Sequence, residues 1–272
     1  MTVSAAPPPV GELLRSWRQR RSLSQLELAL DAAVSSRHVS FLETGRARPS
    51  REMVLHLADH LEIPLRDRNG LLLAAGYAPL YGERLLETKE MAPVRQALER
   101  FLRAHEPYPA VVIDRHYNLL DANDALHLLT DGVAPELLAP PANALRVTLH
   151  PQGMAPRIVN LAEWSAHLLT RLRRQASVTG DPELESLHDE LAAYPGVELE
   201  PPHEEITGAE ILLPLRLRDA SGDELALFST VSTFGTAVDI TLAELAVEAF
   251  YPANAHTAGR LLQDIGAGSP AG

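Results

Sequence analysis

Two short apolar stretches, each preceded by a serine and separated by a three-residue turn, constrain this chain more than anything else in it. They lie in residues 24–50, SQLELALDAAVSSRHVSFLETGRARPS. Ser24 and Glu27 fit a capping box: the serine side chain accepts the Glu27 backbone N–H and Glu27 reaches back. Leu26, Leu28, Ala29 and Leu30 give the first helix its apolar bulk. Ala32, Ala33 and Val34 form the turn, and Ser35 caps the next helix. On that helix Val39 and Leu42, three apart, face a core. At about 100° per residue, Arg37, Ser40, Phe41 and Thr44 fall on the opposite face, with Ser36 beside them. A short helix showing Ser, Arg, Ser and Phe to solvent, directly after another short helix, has the pattern of a reader of the DNA major groove. A plain surface helix in a bundle accounts for fewer of these positions.

The flanks agree. A first helix is expected over Val10–Arg21, with Leu13, Leu14 and Trp17 as core; Arg15, Arg18, Arg20 and Arg21 lie elsewhere on it, meeting phosphates or facing solvent. Pro49-Ser50 opens a fourth helix with Met53, Val54, Leu57, Ala58 and Leu61 inward, and Pro64 opens a fifth that ends near Gly76. Residues 11–75 resemble the lambda-repressor-like, Cro/C1-type helix-turn-helix domain. The matching positions include Ser24-Gln25, Leu28-Ala29, Val34-Ser35, Val39-Ser40, Leu42-Glu43, Gly45-Arg46 and Pro49-Ser50. Ala33 stands where that family usually has Gly, at a position that often needs positive φ; for alanine this costs roughly 1 kcal/mol. Gln25, at a helix N-terminus, suits a phosphate contact. Arg37 is the leading base reader, since a guanidinium pairs bidentately with guanine. Ser36 and Ser40 are weaker readers. Phe41 meets a thymine methyl or covers a neighbouring loop. His38 lies nearer the buried side. Arg46 and Arg48 read as phosphate contacts.

Charge is divided accordingly. The formal net charge is −12, but residues 1–80 hold ten Arg against eight Asp and Glu, a balance of +2, leaving −14 for the rest. A DNA-binding head on an acidic body is implied. With no cysteine, disulfides, zinc–thiolate sites and cysteine nucleophiles are excluded, which suits a reducing compartment. The start, MTVSAAPPPV, has neither the basic nor the apolar region of a signal peptide. No apolar run approaches membrane-spanning length, so a cytoplasmic protein without membrane attachment is expected.

Beyond a connection at 77–90 with a helical stretch in it, a second domain is expected over 91–263, then a flexible tail at 264–272. Val94, Leu98, Phe101 and Leu102 form a helical stripe. Ala110–Ile113 and Tyr117–Asp121 read as strands joined by Asp114, Arg115 and His116. Asn123–Leu129 reads as a helix, residues 132–145 as a loop, and Leu161–Arg174 and Pro182–Tyr194 as amphipathic helices. Residues 211–217 and 225–234 form the clearest hairpin, turning at DASGD. Thr241 and Glu244 suggest the capping box of a final helix before Tyr251-Pro252. The whole is an all-α helix-turn-helix head (1–76) followed by an α+β domain on one antiparallel sheet.

Residues 91 to about 263 resemble the PAS-like ligand-binding domain of MmyB-like transcription regulators. The resemblance is carried by PAVVIDRHYNLLDAN, LHPQGMAPRIVNLAEW, LLPLRLRDASGDELALFSTVSTFGT and VDITLAELAVEAFYPA. Ala237 replaces the Pro of the family's usual FGTP, and Asn254 a usual Asp. The resemblance implies a transcription factor whose sensor holds a fatty acid or similar lipophile. Trp164, Leu168, Phe228 and Phe234 are candidates to line its cavity or are ordinary core. His150, Arg157 and Tyr251 are candidates to meet a carboxylate, with a structural hydrogen bond or surface ion pair as the alternative. No G-x-S-x-G, H-E-x-x-H or P-loop is present, the eleven His show no metal-ligand spacing, and Glu204-Glu205 reads as solvated loop charge. The chain is therefore expected to be a non-enzymatic regulator, without cofactor or metal, that binds an operator in double-stranded DNA as a homodimer. The alternative is a ligand-independent regulator whose second domain serves dimerisation or partner binding.

Overall fold

A computed structural model describes residues 8–200 and 212–268, with side chains through Leu262. Two compact units emerge. One runs to Leu85 and takes in Ser177–Gly180 and Gly235–Ala243; the other holds the remainder. Ile211 and Glu204-Glu205 lie outside the described residues.

The first unit opens with five helices: α1 (Val10–Arg20), α2 (Gln25–Asp31), α3 (Ser36–Glu43), α4 (Arg51–His60) and α5 (Leu65–Ala74). Serines start three of them. The Ser24 side chain accepts from Glu27 N at 3.1 Å while Glu27 accepts from Ser24 N at 2.6 Å; Ser35 and Ser50 accept from His38 N and Met53 N. Left-handed residues end all five: Ser22, Ala33, Gly45, Glu62 and Gly76 have φ of 56°, 52°, 71°, 48° and 86°. Each turns the chain so that the next N–H reaches back into the helix, as Val34 N does to Ala29 O at 2.9 Å. Ala33 thus has the positive φ that its place in the turn demands. Leu14, Trp17, Leu28, Val39, Leu42, Val54, Leu57, Leu61, Leu71 and Leu72 close the core, each worth about 1.5–3 kcal/mol in transfer terms. At the α1–α3 crossing, a Cβ on Gly11 would lie 2.4 Å from Leu42 O, so only glycine allows these backbones to meet. No helix forms in residues 77–90, contrary to expectation; Asn69 instead holds Leu80 and Tyr81 through side-chain hydrogen bonds.

The second unit is built on five strands: β1 (Ala110–Ile113), β2 (Leu119–Ala122), β3 (Leu215–Arg218), β4 (Glu224–Thr233) and β5 (Ala246–Pro252). They form one antiparallel sheet in the order β2-β1-β5-β4-β3, consistent with a PAS-like domain. Its helices, in chain order, are α6 (Ala92–His105), α7 (His127–Thr130), α8 (Pro135–Leu138), α9 (Ala144–Leu149), α10 (Leu161–Thr179), α11 (Pro182–Ala192) and α13 (Ala255–Gly268), while α12 (Ile240–Glu244) falls, but for Glu244, in the first unit. Val111 and Ile113 of β1 join Trp164, Leu169 and Leu172 of α10, Leu187 of α11 and Leu215 and Leu227 of the hairpin in one core. The adjacent β1 residues, Ala110 and Val112, point to the other face by strand alternation.

Several local expectations change. The final helix before Tyr251 shrinks to α12, with Asp239 rather than Thr241 as the cap, accepting from Thr241 N at 3.1 Å. The rest of that stretch is β5, whose Val247 and Ala249 lie opposite Val112 and Ala110 on one side and Ser232 and Thr230 on the other. Two flanking strands satisfy its backbone, and that outweighs the local helical pattern. Tyr117, at φ 66°, ends the turn instead of starting β2. Phe101 leaves the apolar stripe of α6 and is 40% exposed, stacked on His105. Residues 132–145 contain α8 and the start of α9 rather than loop alone, and residues 123–129 a 3-10 turn leading into α7. The backbone of α13 is helical through Gly268.

Candidate DNA-reading face and ligand cavity

On α3, burying Val39 and Leu42 turns the next residues outward. Ser36 and Arg37 are exposed, and Ser40 and Phe41 half-buried. Phe41 is the centre of this face. The Arg37 guanidinium carbon sits 5.1 Å from its ring centroid and that of Arg46 sits 5.8 Å away. Two cations are thereby held over one aromatic ring by cation–π attraction, one on the helix and one in the loop after it. Their charged ends remain open to a polyanion. Arg48 is exposed further along the loop. The Gln25 amide takes another direction, donating to Glu43 Oε2 at 2.8 Å.

The second unit holds a partly open cavity of about 60 Å³ between α10, the β1–β5 face and the segment from α7 to α9. Its wall is mostly apolar, with Val111, Leu119, Leu129, Leu168 and Phe250 among its residues. Four residues bring polar atoms. The Thr130 and Thr148 hydroxyls donate to the backbone carbonyls four residues earlier, Leu126 O and Ala144 O. Trp164 is 5% exposed and its Nε1–H has no hydrogen-bond partner. Glu248 brings a carboxylate from β5, 4.0 Å from Arg171 Nη1. Burial first, then Arg171, lowers the His167 pKa from its ordinary value, with Glu248 opposing. Among the described residues no group of His, Cys, Asp or Glu could hold a metal, and no helix is long and apolar enough to cross a membrane.

The MmyB-like transcription regulator ligand binding domain matches residues 94–263, and a helix-turn-helix domain matches residues 9–71. This chain belongs to the MmyB-like transcription regulators. It is a DNA-binding transcription regulator with a ligand-binding domain. No curated protein matches the chain. Similar solved structures include the clp gene regulator ClgR from Corynebacterium glutamicum, 26% identical over 38% of this chain and 99% of that one, with a TM-score of 0.23. An RNA-binding light-oxygen-voltage receptor is 14% identical over 98% of this chain and 64% of that one, with a TM-score of 0.28.

In this MmyB-like regulator the expected site residues fall into two groups. Arg37, Phe41 and Arg46 come together, and Ser36 and Ser40 share their helix face. Arg18, expected to meet phosphate or solvent, is instead paired with Glu43; Arg21 binds the Leu61 and Glu62 carbonyls. Of the seven ligand candidates, Trp164 and Leu168 line the cavity. Arg157 spreads over four backbone carbonyls, those of Leu128, Leu129, Asp131 and Arg218, tying α7 to β3. His150 Nδ1 accepts from Gln152 N, with its ring edge-on to Tyr194. Tyr251 stacks on Phe228 across the strands at 5.3 Å. Strand alternation sets Tyr251 opposite in facing to Phe250 and Glu248. Phe234 is half-buried just beyond β4. Glu248 went unread in the sequence because the strand carrying it read as helix.

Proposed function

We propose that this regulator binds a specific operator as a homodimer in the cytoplasm, and that its second domain senses a small lipophilic ligand. The observation that carries the DNA half is the Arg37–Phe41–Arg46 cluster on the open face of α3. Arg37, Ser36, Ser40 and Phe41 meet base edges, and Arg46, Arg48 and the N-terminus of α2 at Gln25 hold phosphates. Two heads address half-sites about 34 Å apart, one helical turn.

The mostly apolar cavity between α10 and the sheet supports the sensor half. At about 60 Å³ it is smaller than the roughly 300–1,000 Å³ of ordinary ligand pockets, so a long chain enters only if α10 lifts from the sheet. That movement is the route from ligand to operator. The family resemblance makes fatty acids the first compounds to titrate. Operator binding by the full chain, followed by fluorescence anisotropy on a site selected from random duplexes, should shift about 5–150-fold with ligand. Trp164→Ala should abolish the shift while basal operator affinity stays near normal. Unchanged affinity across chain lengths and head groups would favour the alternative, a ligand-independent regulator whose second domain dimerises or binds a partner.

A further inference from the structure

Among the described residues, one stretch of the sheet lacks a partner on its outer edge. β3 pairs with β4 only at residues 224–227, whereas β5 follows β4 through Thr233. Residues 228–233 therefore form an overhang with one free edge, and residues 212–214, which lead into β3, do not continue the pairing. We infer that this overhang is the surface on which the second domain dimerises, pairing antiparallel with the same strand of a second copy about a two-fold axis at Val231. This inference rests on the homodimer reading and places its interface.

The register fixes which groups point outward. Ala253 N donates to Ala226 O at 2.8 Å, and backbone groups alternate between the two edges along an antiparallel strand. Phe228, Thr230 and Ser232 thus address β5, while Ser229, Val231 and Thr233 address the free edge. Among the described residues no hydrogen bond meets the N–H or C=O groups of those three on that side. Elsewhere the chain covers its own edges. Leu119 N of β2 donates to Ala142 O; at β3, Val159 N donates to Arg216 O and Arg216 N to Asn160 Oδ1. Open edges are commonly guarded by charge or proline, yet residues 225–238, LALFSTVSTFGTAV, contain neither. Residues 230–233 are exposed, with Val231 at 43%.

The strand is its own complement, and this selects a second copy as the occupant. With Val231 on the axis, it meets the partner's Val231, and Ser229 meets the partner's Thr233, each pair exchanging both backbone hydrogen bonds. No like charges are opposed, and two exposed valine side chains cover each other. The available length also matches. In this register the partner's Gly235 would meet Leu227, which β3 already occupies through Leu215; β4 ends at Thr233 and the chain turns at Gly235-Thr236. The contact is isologous, the usual form in soluble dimers.

The test is sedimentation velocity on the full chain over a range of concentrations, free and with operator duplex. The wild type should be a dimer. Val231→Pro removes an outward N–H and none that β5 uses, so it should weaken the dimer about ten- to a hundred-fold with the far-ultraviolet circular dichroism unchanged. Ser229→Lys with Thr233→Lys sets like charges opposite each other across the axis and should weaken it by at least about ten-fold. Ser229→Lys with Thr233→Glu sets opposite charges there and should keep the dimer. A wild-type dimer whose dissociation constant is unchanged in the proline and double-lysine variants, or a Lys–Glu variant that dissociates as much as the double-lysine one, would overturn the edge as the interface and leave the homodimer reading standing. A wild-type chain that stays monomeric at every concentration, free and on the operator, would overturn both.

Discussion

Arg18 and Glu43 form a bidentate ion pair between α1 and α3, Nε to Oε1 at 2.6 Å and Nη2 to Oε2 at 2.9 Å, with the Glu43 side chain only 3% exposed. Leu23 O takes a further guanidinium proton and Gln25 a further carboxylate lone pair. The hydrogen bond from Arg18 to Glu43 is the main cause of a raised Arg18 pKa, against desolvation. The pair sits where Gly11 lets α1 approach the α3 backbone, so it fixes the angle at which the recognition helix is presented.

Breaking that pair from one side strands a buried charge. Glu43→Ala should destabilise the head by about 3–5 kcal/mol, whereas replacing both partners with apolar residues, Arg18→Met with Glu43→Leu, should be near neutral. Denaturant unfolding of the single and double variants separates these outcomes, and equal losses in all of them would contradict the account.

On DNA, Arg37→Ala should cost about 1–3 kcal/mol at the cognate site and relax preference at one base pair. Arg46→Ala should weaken all sequences alike and reduce the salt slope by about one. Phe41→Ala releases both guanidinium groups, so it should show both signatures. Gel shifts on matched and altered operators at several salt concentrations decide this, and equal loss of specific and non-specific binding in Arg37→Ala would remove its reading role.

Ala33 holds a left-handed conformation at φ 52°. Ala33→Gly should therefore raise stability by about 0.5–1 kcal/mol, the relieved strain exceeding the added freedom of the unfolded chain. A lowered melting temperature would show that the turn tolerates alanine without strain.

Asp219, in the β3–β4 turn, gives a pH prediction. Burial pushes its carboxyl up, but Ser221, Arg260 and the backbone N–H groups of Asp223 and Ser221 together pull it from 3.8 to about 2. Its folded pKa lies below the unfolded one, so its contribution is complete above about pH 4 and disappears as pH falls toward 2. Asp219→Asn should flatten that part of the stability–pH curve in thermal melts. An unchanged acid limb in the variant would refute the assignment.

Much of the head was legible because its signals are local. A serine three residues before the N–H that donates to it, a small residue at a left-handed turn and apolar residues at helical spacing are decided within one turn of backbone, and α1 to α5 follow them closely. The same residues placed Arg37, Phe41 and Arg46 on one outward face, yet the stacking of both guanidinium groups on Phe41 needed the fold of the loop after α3. In the second domain the β3–β4 hairpin was legible from its turn, and β1 from its apolar run.

What the sequence determined by itself, then, is the set of elements whose hydrogen bonds close over a few residues, together with the division of charge between head and body. Tertiary structure alone decided the rest. TLAELAVEAFYP has helical local preferences, but its second half became β5 because β1 and β4 offer it partners on both edges. That one change of state puts Glu248 and Phe250 on the cavity wall and Tyr251 on the other side. Pairing partners far apart in sequence set which face a strand residue occupies, and a one-residue shift reverses it. The place of Glu248 on the cavity wall is therefore a property of the sheet, not of any motif within it.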